Sequence, residues 1–299
     1  PLLVFAVIMV ALFDREQERT AERLLSQHTF AALQAVDRYV AADLKAMHAL
    51  AHATPTEQPE AFFIELRRVI NADPHWLSVR LRNLPEQQTL AVASRSSPLQ
   101  TPSVPPLSED AVQTAIKRGV WIGNLETMDS PQGPLRYVRL AVPVVRAGTP
   151  IAILTAFIKP TIYSQALVES GIPADWTAAA LDRNLTIIGR SRAPEEFVGA
   201  GATDSLRKEI ASGTERFFFS RNQEGALVYT ALFQSPLTGW VMAVGVPKAI
   251  VRAPVVRTMI VVGIGGISAV ALAILMGTVL ARAFASRNQA ERRLLALAG

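Results

Sequence analysis

LDRNLTIIGRS, residues 181–191, reads as a tight turn followed by a strand. Asp182, Arg183 and Asn184 bend the chain, since Asp and Asn side chains bond back to nearby main-chain groups, and the apolar residues that follow suit a sheet. The stretch before it, WTAAALD (176–182), is apolar as well, so the two pair as a hairpin through that turn. Downstream, DSLRKEIAS (204–212) has helical periodicity, and TERFFFS (214–220), ALVYTALF (226–233) and WVMAVGV (240–246) are strands joined by the polar turns RNQEG and QSPLTG.

The same order of elements occurs upstream. AFFIELRRVI (61–70) is a short helix, and HWLSVRL (75–81) alternates Leu77, Val79 and Leu81 with Ser78, Arg80 and Arg82, the signature of a half-buried strand. After the proline-rich PLQTPSVPP (98–106), Ser108 caps a helix over EDAVQTAIKR (109–118). VWIGN (120–124), LRYVRLAVPV (135–144) and TPIAILTAFI (149–158) are three antiparallel strands, and TIYSQALVES (161–170) is a connecting helix. Residues 137–160 and 229–247 both run Tyr, strand, a turn with Gly, strand, Pro. The economical reading is an internal duplication of an α+β unit.

Between Asp14 and Thr54 there is neither Gly nor Pro. Leu33, Val36, Val40, Leu44, Met47 and Ala51 recur at spacings of three and four, which predicts one long amphipathic helix. PLLVFAVIMVALF (1–13) precedes it, and TMIVVGIGGISAVALAILMGTVLA (258–281) carries no charge and exceeds the roughly 20 residues that cross a bilayer. Both are expected to be membrane spans, the first truncated at its start, with the middle of the chain on one side. Arg282, Arg287, Arg292 and Arg293 follow the second span and favour a cytoplasmic C-terminus, although Lys248, Arg252 and Arg257 precede it.

Composition narrows the classes. The chain has no cysteine, which excludes disulfides, thiolate catalysis and cysteine metal sites. Its net charge of +5 comes without any run of Lys and Arg interleaved with aromatics, so nucleic acid is not an expected partner. No hydrolase elbow, zincin helix or phosphate-binding loop occurs, so no catalytic residue is assigned. His48 and His52 share a helix face, but no third ligand stands near in sequence and no metal is assigned. GIGG (263–266) lies inside the apolar run and is not a phosphate loop; Gly265, Ala269, Ala273 and Gly277 instead make a strip of small residues that lets two spans approach closely.

Residues 14–257 resemble, through LDRN, GRS, FVGA (197–200) and SPLTGW (235–240), the double Cache (PAS-like) periplasmic sensor regions of bacterial transmembrane receptors, most often histidine kinases. The resemblance implies a long N-terminal helix at 14–55, a distal PAS-like unit at 56–174 and a proximal one at 175–257. Spans at 1–13 and 258–281 flank them, and a cytoplasmic signalling helix starts at 282–299. It also implies a small-molecule site in the distal unit. There Val138, Leu140 and Val142 would meet the long helix while Tyr137 and Arg139 face the other way, near Trp76, Arg80 and Trp121. Guanidinium groups beside aromatic rings suit a carboxylate or phosphate, so an anionic ligand is expected. The familiar amino-acid-binding pattern is not visible.

The expected function is ligand sensing by a homodimer in the inner membrane, with 14–257 periplasmic. The histidine kinase domain would lie beyond the C-terminus, with its ATP, Mg and response regulator; no cofactor is expected within this chain. The alternatives are a cyclic-nucleotide enzyme or chemoreceptor output on the same sensor, or a membrane-anchored scaffold without catalytic output.

Overall fold

The computed structural model describes residues 2–53, 59–95, 104–130, 133–212, 217–251, 260, 263–268, 270–279 and 281–282. Chain contacts divide the molecule into two compact units, Ala21–Lys248 and a second made of Pro1–Thr20 with Ala249–Gly299.

Two five-stranded antiparallel sheets build the first unit, labelled distal and proximal after the units expected from the sequence. The distal sheet contains β1 (Trp76–Asn83), β2 (Thr89–Ser94), β3 (Trp121–Ser130), β4 (Gly133–Arg146) and β5 (Thr149–Ile158) in the order β2-β1-β5-β4-β3. The proximal sheet contains β6 (Thr177–Leu181), β7 (Ile187–Arg190), β8 (Phe217–Arg221), β9 (Leu227–Gln234) and β10 (Val241–Pro247) in the order β7-β6-β10-β9-β8. Counted from the first strand of each, the two orders are identical, which is the duplication expected from the repeated text. The helices are α1 (Leu2–Ala53), α2 (Pro59–Ala72), α3 (Glu109–Arg118), α4 (Thr161–Glu169), α5 (Pro194–Phe197) and α6 (Asp204–Ser212).

The periodicity of α1 translates directly into burial: Leu33, Val36, Val40, Leu44, Met47 and Ala51 are all buried. Two polar residues on the same helix reach the sheets. Asp37 accepts from Ser235 Oγ at 2.8 and 2.9 Å, and Asp43 accepts from the Trp76 indole at 2.8 Å. On β4, Val138, Leu140 and Val142 are fully buried on one face. The opposite face takes α3, whose Ala111, Val112 and Ala115 form a cluster with Ala141 and Ile153. Ser108 caps α3 by accepting from the Ala111 amide, and Gly119 ends it in the left-handed region at φ 76°.

Each motif noted in the sequence holds a joint. Asp182 is fully buried; its Oδ1 accepts from the Asn184 and Thr186 amides, both at 2.9 Å, and closes the β6–β7 hairpin. Its Oδ2 accepts from the Leu125 amide at 2.9 Å, on the edge strand of the other sheet. The pairing of β3 with β4 is irregular between Ile122 and Leu125, and a bulge there turns main-chain groups away from the ladder. Arg183 takes the second of these groups, donating to the Ile122 carbonyl and, at 2.9 Å, to the Thr238 carbonyl.

Gly189 of GRS lies against α4, where a Cβ would stand 2.9 Å from that of Tyr163 and 3.0 Å from the Ser164 nitrogen. FVGA leads the chain back along β7, with the Ile187 amide donating to Ala200 and that of Gly199 to Ile187, so an exposed sheet edge is covered. In SPLTGW, Ser235 Oγ accepts from the Leu237 and Thr238 amides while donating to Asp37.

Among the described residues no helix is long and apolar enough to cross a membrane. Part of the expected span at 258–281 lies outside the described residues, including Ala269 of the small-residue strip; 263–268 and 270–279 are helical. The cytoplasmic helix start at 282–299 lies outside them except for Arg282, and of 1–13 only the helical backbone from Leu2 is described.

Replacing Asp182 by Ala leaves three amide groups without their acceptor. These amides are partly buried, so at roughly 0.5–1.5 kcal/mol for each hydrogen bond lost the cost is expected to be about 1.5–4.5 kcal/mol, a fall of about 3–18 °C in melting temperature read from a thermal melt of the full chain.

Candidate functional site

The expected pocket residues lie on three strands of the distal sheet, and the structure brings four of the five together. Arg80, Trp121, Tyr137 and Arg139 share the face that carries α3. Phe157, directly opposite both Ser78 and Arg139 in the register, stands among them. The Arg80 guanidinium lies 5.1 Å from the Phe157 ring centre and Tyr137 packs on the same ring at 5.3 Å, while Arg139 sits 5.8 Å from the Trp121 ring.

Trp76 does not join them. It is 1 % exposed and its indole N–H donates to Asp43 of α1, on the opposite face of the sheet. Strict alternation counted back from Arg80 places Trp76 beside it, but the pairing of β1 with β5 shifts between Trp76 and Ser78. That extra residue reverses the sides, and Leu77 packs beside Tyr137 and Phe157 instead.

Tyr137 and Arg139 do not face open solvent either. The segment Val104–Leu107 crosses over them: Val104 clusters with Tyr137 and Phe157, Arg82 donates to the Val104 carbonyl at 2.9 Å, and Arg139 to that of Pro105 at 3.3 Å. Gln87 holds the end of this segment by exchanging two hydrogen bonds with the Leu107 main chain.

Three further residues complete the site. Glu126 pairs with Arg139 at 2.7 Å and accepts from the Tyr137 hydroxyl at 3.2 Å. Arg82 follows Arg80 by two residues and therefore shares its face, a signal present in the alternation itself. Phe157 is hidden in the apolar run of β5, where nothing distinguishes it from core.

Among the described residues this face carries the guanidinium groups of Arg80, Arg82 and Arg139 and the carboxylate of Glu126. Burial lowers the pKa of Arg80, and the neighbouring Arg82 and Arg139 lower it further; burial and then Arg139 do the same to Arg82. Burial first, then Glu126, pushes the Tyr137 hydroxyl up to about 12. The Arg82 Nε is buried without a hydrogen-bond partner, as is the Asn124 Oδ1 at the β3 bulge. Such a surface can receive an anion on preplaced N–H donors with aromatic walls beside it. As for metals, no group of three or more His, Asp or Glu able to hold one occurs among the described residues.

No protein-family model matches the chain, and no curated relative does. Solved structures do. The extracellular domain of the putative histidine kinase soHK1S-Z6 superposes with a TM-score of 0.58 at 14 % identity, covering 80 % of this chain and 98 % of that one. The sensory domain of the Campylobacter jejuni chemoreceptor Tlp3 (CcmL) gives 0.59 at 12 %, covering 80 % and 98 %. The ligand-binding domain of the Pseudomonas aeruginosa PAO1 amino acid chemoreceptor PctB, in complex with L-Gln, gives 0.58 at 13 %, covering 77 % and 92 %. The chain thus has the Cache-like fold of extracellular ligand-binding sensor domains: a long N-terminal helix and two antiparallel sheets.

The Trp76–Asp43 contact has a measurable signature. Burial raises Asp43 from an ordinary value near 3.8 to about 6, with Asp73 adding to the rise and the indole hydrogen bond opposing it. The folded chain therefore binds this proton more tightly than the unfolded chain. The associated stability, on the order of 2–3 kcal/mol, is fully present below pH 4 and lost as the pH rises through about 6. Denaturant titrations across that interval are expected to show the fall in the native protein and a flatter profile in Asp43→Asn.

Proposed function

We propose that residues 14–257 are the ligand-sensing extracytoplasmic region of a dimeric receptor in a bacterial inner membrane, and that the chain is the N-terminal part of a sensor histidine kinase. The observation that carries the sensing is the convergence of Arg82 and Arg139 beside Tyr137, Phe157 and Trp121 on one covered face, with the Arg82 Nε buried and without a hydrogen-bond partner among the described residues. Guanidinium N–H groups held beside aromatic rings suit an anion, so the ligand is a small molecule bearing a carboxylate or phosphate. Arg80, Arg82 and Arg139 bind the anionic group, and Tyr137, Phe157 and Trp121 enclose the remainder.

The segment Val104–Leu107 already bonds to two of these arginines, so an arriving anion competes with its carbonyls. That competition gives the ligand a different affinity for two positions of the segment, the requirement for shifting any conformational equilibrium. The repeated strand order supports division into a distal unit, 56–174, and a proximal unit, 175–257.

Anchoring at 258–281 is supported by the uncharged sequence and by the exposure of Ile264, Ile267, Leu272 and Ile274, each 59 % or more. Apolar side chains so exposed over successive helical turns suit lipid. A downstream kinase domain would bring ATP, Mg and a response regulator. A chemoreceptor output is the second reading, favoured by the chemoreceptor domains from Campylobacter and Pseudomonas that share the fold.

Thermal melts of the full chain in detergent with a panel of organic acids and phosphate esters test the sensing. A true ligand at a hundred times its Kd is expected to add about 2.7 kcal/mol, and Arg82→Gln with Arg139→Gln to abolish the gain. No stabilisation by any member of the panel would remove the distal site. ATP-dependent phosphorylation of a histidine in the full-length gene product separates the kinase from the chemoreceptor.

A further inference from the structure

A second concavity lies where the two sheets meet, away from the face described above. It encloses about 690 Å³ and takes its walls from β4, the end of β5, α4, β7 and α5. That volume is within the roughly 300–1,000 Å³ range of small-molecule sites. Leu135, Val168 and Val198 give it apolar walls, Thr161, Ser164 and Gln165 from the first turns of α4 give it polar atoms, and Arg136, Lys159 and Arg190 give it charge.

The three cations are not equivalent. Arg190 is 2 % exposed and fully engaged: it pairs with Glu224 at 2.6 Å, donates to the Arg192 carbonyl at 2.7 Å and lies 4.1 Å from the Phe197 ring centre. Arg136 and Lys159 have no carboxylate within ion-pair distance among the described residues. Arg136 is held in place by shape. Its guanidinium lies over Gly199, where a Cβ would come within 2.7 Å of Nε. Glu195 is the single carboxylate in the lining. The concavity therefore presents two uncompensated donors from the distal sheet side, with apolar walls from both sheets.

We propose that this groove is a second binding site, for an organic anion with an apolar body. Arg136 and Lys159 hold its carboxylate or phosphate, and Leu135, Val168 and Val198 cover its hydrocarbon part. The occupant touches elements of both sheets, so its binding reports on their arrangement whatever the distal face binds. The site stands on its own residues and does not rest on the sensor reading.

Isothermal titration of the full chain in detergent with phenyl phosphate as the probe tests it. Saturable binding is expected, weakened roughly tenfold for each cation removed in Arg136→Gln and Lys159→Gln. Val168 is 61 % exposed, so Val168→Glu alters the mouth of the groove without disturbing the core and is expected to weaken binding too, with an unchanged melting curve. The titrations are made in the Arg82→Gln, Arg139→Gln background, which removes heat from the distal face, and the groove's saturable binding is expected to persist there. No saturable heat at millimolar probe, or binding that Arg136→Gln, Lys159→Gln and Val168→Glu leave unchanged, would overturn the proposal.

Discussion

The buried carboxylate of Asp182 is the joint between two halves of the fold. One oxygen closes the hairpin of the proximal sheet and the other receives an amide from the edge strand of the distal sheet. A buried carboxylate is expensive, and three preplaced amides, with the Arg183 guanidinium beside it, make its burial tolerable. The geometry of both sheets is therefore a condition for the stability of this one side chain, and the side chain in turn makes them cohere. Arg183 extends the joint by taking the Ile122 and Thr238 carbonyls.

The two repeats share a strand order but spend their charges differently. In the proximal repeat the buried Arg190 is matched by Glu224 and a carbonyl, and the arrangement is electrostatically closed. In the distal repeat Glu126 pairs with Arg139, while Arg82 bonds to the main-chain carbonyl of Val104. A duplicated scaffold thus carries a different arrangement of charges in each copy. The difference lies in side chains on the same face of equivalent sheets, where alternation allows change without disturbing the core on the other side.

Much of this was legible in the chain. The spacing of Leu33, Val36, Val40 and Leu44 identifies the buried face of α1, and alternation on β4 correctly assigns Val138, Leu140 and Val142 to one side and Tyr137 and Arg139 to the other. What periodicity cannot register is an interruption of the ladder. The bulge beside Trp76 moved that residue across the sheet to Asp43, and the bulge at Gly123 and Asn124 created the docking point for Asp182; neither carries a local sequence signal strong enough to read. Burial of Tyr137 was equally hidden, because it depends on a segment, Val104–Leu107, whose path over the sheet is set by long-range contacts with Arg82 and Gln87. Arg82 was within reach of the same alternation that found Arg80.

The joint at Asp182 and Arg183 grips peptide groups alone: amides of Leu125, Asn184 and Thr186, carbonyls of Ile122 and Thr238. Peptide groups are the same whatever residue carries them. Of the β3 side chains, Leu125 packs against the cluster of Leu181, Ile187 and Val198; changes elsewhere on the strand leave the hydrogen bonds of the joint intact. Over evolutionary time such a coupling lets side chains of the first sheet change while these main-chain bonds keep holding it to the second.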